Sequence, residues 1–143
     1  MYKLILSVNN LGEVMVWPSV PPDFGPELQQ RNGTYEGALG DLNTLGPMAL
    51  WTIPMEGVFP VGSRRPYMPS EAETDGWKYV DFLNRHMTAR IPFRITLLDS
   101  DGVCRFNDAC SVDDFSWKVK RNGDIAYSLT FREYRFVAES GVF

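Results

Sequence analysis

Apolar and polar positions alternate most clearly near the end of the chain. Phe115, Trp117 and Val119 alternate with Ser116, Lys118 and Lys120. After a short polar interval, Ile125, Tyr127, Leu129 and Phe131 alternate with Ala126, Ser128, Thr130 and Arg132. A period of two places alternate side chains on opposite faces of a strand. Asn122-Gly123 separates the two runs. Both residues tolerate the positive φ of a type I′ turn, so residues 115–137 read as an antiparallel hairpin. The phase then slips. Glu133 stands where an apolar residue is due, and Tyr134 and Phe136 follow instead. A one-residue slip is what a β-bulge produces, so a bulge is expected near Arg132-Glu133. Past it, Arg132, Glu133, Tyr134, Arg135 and Phe136, with Val137, form a strand end that outlasts its partner. This is the candidate protein interface.

The same pattern places two strands at residues 2–8 and 13–17, joined by the turn Asn9-Asn10-Leu11-Gly12. Residues 18–33 hold four prolines and two glycines and should lack regular structure over most of their length. Residues 34–46 are Gly-rich and ambiguous. Residues 48–59 read as a strand interrupted by Pro54, which suits an edge strand or a bulge. Residues 60–76 form a long loop. Residues 76–89 carry apolar positions at helical spacing (Trp77, Val80, Leu83 or Asn84, Met87), with Thr74 or Asp75 able to cap the start and Pro92 closing the end. Strands follow at 93–98 and 103–106 around the turn Asp99-Ser100-Asp101-Gly102. Six to eight mostly antiparallel strands and one main helix predict a single sheet-dominated α+β domain over residues 1–143.

Composition narrows the function more than the fold. The chain has 143 residues, a hydrophobic content of 44% and 14 basic against 18 acidic residues, for a net charge of −4. That suits a globular domain with a sizeable core. It carries no basic run, so nucleic-acid and membrane-surface partners are not expected. No segment has the apolar length of a membrane span, and MYKLILSV reads as a strand rather than a signal peptide, so folding in a cytoplasm is expected.

The candidates for chemistry are weak. Cys104 and Cys110 do not have zinc-site spacing and read as a reduced pair. Asp99-x-Asp101-Gly102 resembles the front of a calcium loop, but Cys110 stands where the closing Glu belongs. His86 reads as a surface histidine. Asp108, Asp113 and Asp114 read as a solvated turn rather than facing acids. Trp17, Trp51, Trp77 and Trp117 read as core, with sugar stacking as the alternative. No catalytic residue, metal or cofactor is assigned, and an enzyme is not expected; a small hydrolase would need a perturbed His86 or a facing acid pair.

The order of several segments resembles the N-terminal domain of XkdP-type phage tail proteins from PBSX-like contractile tails. WPSVPPDFG, WTIPMEGVFP and PYMPSE followed by WKYVDFLNRHMTARIPFRITL match its successive segments. The most specific match is the ending GD(I/V)xYxLxFxEYR, fitted here by Gly123, Asp124, Tyr127, Leu129, Phe131, Glu133, Tyr134 and Arg135. The family usually continues into a LysM module, which is not expected here, so contacts attributed to that module are not carried over. The resemblance implies a structural adaptor in a virion's baseplate or tail tip, folded and assembled in the bacterial host's cytoplasm. Its partners would be hub, tube or wedge proteins, with several copies in a symmetric ring. A cell-wall carbohydrate-binding module of a tail is the alternative.

Overall fold

Six antiparallel strands form one sheet, and a single helix with two long loops covers one of its faces. The computed structural model describes residues 2–9 and 11–136. In chain order the elements are β1 (Lys3–Val8), β2 (Glu13–Val16), β3 (Gly33–Gly37), β4 (Gly40–Thr44), β5 (Thr52–Phe59), α1 (Trp77–Thr88), β6 (Phe93–Leu98), β7 (Cys104–Val119) and β8 (Ile125–Glu133). The main sheet runs β2-β1-β6-β7-β8-β5, and β3 and β4 form a separate two-stranded ribbon. The sheet-dominated α+β class expected from the sequence is therefore observed. The turn position Asn10 and the strand-end position Val137 lie outside the described residues.

Alternation along the strands builds the core. Leu4 and Leu6 of β1, Ile53 and Met55 of β5, Phe93 and Ile95 of β6, and Ile125, Tyr127, Leu129 and Phe131 of β8 turn to the covered face. At its centre, the Trp17 ring lies edge-on to Phe59 and Tyr79, with centroids 5.3 Å and 5.2 Å away, and Phe59 stacks on Tyr127 at 4.1 Å. Trp17 Nε1–H donates to the Tyr127 hydroxyl at 3.0 Å, and the Tyr79 hydroxyl donates to the Val16 carbonyl. A buried polar atom left without such a partner costs about 1–3 kcal/mol, so these bonds fix how the aromatic layer packs. Burial pushes the pKa of both tyrosines up to about 12.

β7 is the longest strand and the hinge of the sheet's plan. Its first half pairs with β6, from Cys104↔Leu98 to Cys110↔Phe93, and its second half pairs with β8, from Cys110↔Glu133 to Val119↔Ile125. The two halves of the sheet are thus staggered along one 16-residue strand. This corrects the expectation that Asp108, Asp113 and Asp114 form a solvated turn. They lie within the strand, and the bulge falls between Val112 and Asp114 on β7 rather than at Arg132-Glu133. Asp113, the extra residue, reaches back to Arg132 at 2.7 Å.

The hairpin turn also differs from its expected type. Gly123 N–H donates to the Lys120 carbonyl, Lys120 N–H donates to Asp124, and Gly123 alone in this turn has positive φ, at 94°. That is a three-residue loop ending in a left-handed glycine. Asp124 is buried there. Its carboxylate accepts from Arg65 at 2.9 Å and 3.1 Å, from Val61 N–H at 3.0 Å and from Asn122 at 3.2 Å. The hydrogen bonds from Arg65, outweighing desolvation, hold its pKa below the usual carboxylate range. This clasp ties the long loop after β5 to the hairpin.

The helix lies close to its expected span, with Val80, Leu83 and Met87 turned to the core as expected and Trp77 turned out. Tyr79, Val80, Phe82, Leu83 and His86 are buried, while Trp77 is 40% exposed. Asp75 Oδ1 accepts the Trp77 N–H at 3.1 Å, and Arg90, at φ 61°, ends the helix as Ile91 N–H returns to the His86 carbonyl. β5 lies at the sheet edge, where Pro54 withholds no hydrogen bond the sheet needs.

Candidate functional site

The five interface residues divide between two tasks. Arg132 is still in register, opposite Thr52 on one side and Ser111 on the other, and its guanidinium pairs with Asp113. Glu133 closes the strand. Its N–H donates to the Trp51 carbonyl at 2.9 Å, and its Oε1 accepts the Trp51 N–H at 3.3 Å. Arg135 Nε donates to Glu133 Oε2 at 3.2 Å, and its other nitrogen reaches the Met48 carbonyl, also at 3.2 Å. The charged residues of this segment therefore anchor it to the β7 bulge and to the stretch just before β5. Tyr134 N–H still bonds the Ala109 carbonyl, at 2.9 Å, so the strand end remains docked on β7.

The two aromatic side chains are left for something else. Tyr134 is 42% and Phe136 64% exposed, and the rings meet edge to face at 4.9 Å. Each lines a shallow cleft on a shared ridge, Ile91-Pro92-Phe93. Phe136 borders one of about 260 Å³ with Val8 and Ala109; Tyr134 borders one of about 270 Å³ with Met87 and Val112. Both fall below the roughly 300–1,000 Å³ of small-molecule sites and suit one or two protruding side chains. The sequence pointed to the strand end, but not to the ridge. Ile91 and Pro92 are half-buried and lead into the buried Phe93 at the start of β6, and this segment is the wall the two clefts share.

The residues weighed for catalysis are used structurally. His86 is buried, against expectation, edge-on to Phe82 at 4.9 Å, with Nε2 3.2 Å from Glu13 Oε1. Glu13 also takes two bonds from Arg85, which, outweighing desolvation, hold its pKa low and clasp α1 to β2. Asp99 accepts the N–H groups of Asp101 and Val103 and pairs with Arg105, so the calcium-like tetrad is a hairpin turn. Among the described residues no group of three metal-ligating side chains converges. Cys104 and Cys110 are free thiols on one strand. Trp17 and Trp51 are core, as expected; Trp77 and Trp117 instead form an exposed edge-to-face pair, 5.1 Å apart. No described helix is long and apolar enough to cross a membrane.

The chain matches no family model and no curated protein.

Proposed function

We propose that this chain is a structural component of the baseplate or tail tip of a bacteriophage or phage-like particle. It acts as an adaptor that joins hub or tube to the surrounding baseplate proteins. The observation that carries this reading is the Tyr134–Phe136 pair, held out beside two side-chain-sized clefts by charged neighbours that anchor the backbone. Aromatic anchors beside small pockets are the usual centre of a protein–protein contact. The segment is also the one whose pattern, through Glu133, Tyr134 and Arg135, carries the resemblance to the XkdP-type tail proteins. The chain works by binding, with several copies in a ring, and resides in the virion after assembly in the host cytoplasm.

The test is to express a tagged copy in a host that produces such particles, sediment them, and count the tag per particle by mass spectrometry. A fixed, low copy number is expected. Absence of the tag from intact particles would overturn the reading. A second reading, carbohydrate binding, is favoured by the exposed Trp77–Trp117 pair. It requires tryptophan fluorescence to respond to cell-wall sugars, and a flat titration removes it.

A further inference from the structure

The β3–β4 ribbon projects from the start of β5 as an arm with almost no core of its own. All of its residues are exposed except Gly37. A lone two-stranded hairpin is marginal in water, yet the root of this one is tightly built. Gln30 bonds the Gly46 carbonyl at 2.9 Å, Gly46 N–H bonds Asn32 at 3.1 Å, and Arg31 N–H bonds Pro47 at 2.8 Å. The strands approach so closely there that a Cβ on Gly46 would lie 1.7 Å from the Arg31 carbonyl oxygen. The arm is thus set in one direction before anything covers it.

Its two faces differ. Tyr35 and Leu42 are cross-strand partners on one face, and Glu36 and Asp41 are partners on the other. Like charges directly opposite one another destabilise a ribbon. Neither carboxylate has a cation or donor among the described residues. A cationic partner would remove that penalty.

The opposite end of the sheet offers the complement. The β6–β7 pairing ends at Phe93↔Cys110, so from Asp114 to Val119 β7 is paired, among the described residues, on its β8 side alone. That open edge also has two faces. Trp117 and Val119 are exposed on one, and Lys118 lies on the other, with Lys120 and Arg121 just beyond. None of these three cations has an ion-pair partner among the described residues. A strand added along this edge continues both faces at once, because side chains alternate on each strand with the same period. Tyr35 and Leu42 would extend the Trp117–Val119 face as Glu36 and Asp41 meet Lys118 and Lys120.

We propose that copies of this chain join head to tail, the β3–β4 arm of one copy adding as a strand to the open β7 edge of the next. Arm and edge lie at opposite ends of the strand direction, at Thr52 and at Phe59–Ile125 of the same strand pair. The contact is therefore heterologous and generates a ring or an open chain of copies rather than a closed dimer. It is read on the purified chain and stands or falls separately from the particle assignment.

The experiment is sedimentation velocity over a concentration series, with two charge-swapped proteins. One carries Glu36→Lys and Asp41→Lys; the other carries Lys118→Glu and Lys120→Glu. Each swap sets like charges against each other within its own assembly, so each protein alone should associate at least about tenfold more weakly than the unaltered chain. An equal mixture should regain association, since each arm then meets an edge of opposite charge. The uncharged change Leu42→Ala should weaken association without altering its dependence on salt. Circular dichroism of each protein confirms that it is folded. A monomeric unaltered chain, a symmetric dimer indifferent to both swaps, or a mixture that stays as dissociated as its components would each overturn the proposal. The first two outcomes would leave the arm to a different protein.

Discussion

Replacing Tyr134 with Asp separates anchoring from folding. With 42% of its surface uncovered and a whole Tyr presenting roughly 150–250 Å², about 60–100 Å² of Tyr134 waits to be buried by a partner. At about 25 cal/mol/Å² that burial contributes roughly 1.5–2.5 kcal/mol to docking. The aspartate removes it and places an unpaired polar group in the contact, at a cost of about 2 kcal/mol or more. The sum, about 4 kcal/mol, is about a thousandfold in affinity. The isolated fold also loses something, because the part of Tyr134 not exposed, roughly 90–145 Å², is covered by neighbours that include Phe136, Met87 and Val112. At the same coefficient that is about 2–3.5 kcal/mol, and it lowers Tm by about 5–10 °C for a chain of this size. The assay pairs the Tm of the purified variant with its copy number in sedimented particles, at a temperature where the variant is folded. The expected result is near-complete loss from particles of a variant that is still folded. A large fall in Tm, with the folded fraction still incorporated at the normal number, would refute the assignment of Tyr134 to a contact.

Three further outcomes follow from the buried polar groups. The pKa of Asp124 is depressed in the folded chain by Arg65, so its contribution is complete above the unfolded value of about 3.8 and is lost as pH falls through the lower folded value. Acid titration of Tm should therefore show a loss below about pH 4 that Asp124→Asn flattens. Tyr127→Phe leaves the buried Trp17 Nε1–H without its acceptor and should cost about 1–3 kcal/mol in urea unfolding, with the slope unchanged. Burial pushes the pKa of the Cys110 thiol well up, so a thiol reagent should label exposed Cys104 in the native chain and reach Cys110 only on unfolding.

The parts of the fold that could be read from the chain are those where one face of an element is buried. β1, β5, β6 and β8 each alternate because the sheet is covered on one side, and their inward residues form the core. Misreadings arose where that rule is relaxed. At Asp113 a bulge breaks the alternation, and Asp108, though on the inward side of β7, is retained because it accepts the Trp51 indole N–H at 2.8 Å. The acids therefore look like a turn but lie within the longest strand. His86 reads as a surface residue in the chain because its burial depends on Phe82 of α1, on Phe93 of β6 and on Glu13 of β2, which come together only in the fold. Glu133 looked like the start of a phase slip. In the structure it keeps its register opposite Cys110 and uses its carboxylate on Trp51 and Arg135.

The β3–β4 arm was the least legible element for the same reason, taken to its limit. It buries neither face within its own chain, so selection for a core leaves no period in residues 33–44. What the sequence does contain there is a pair of apolar side chains opposite each other and a pair of acids opposite each other. In the proposed assembly that arrangement meets the open β7 edge of the next copy, with its apolar and cationic faces. The exposed aromatics at Tyr134 and Phe136 share this property with the arm: both are ordered in position by polar bonds at their base, through Arg135 in one case and Gly46 in the other. Hydrogen bonds that fix the aim of uncovered apolar groups at two separate places are what the proposed adaptor role, with a contact on each surface, requires.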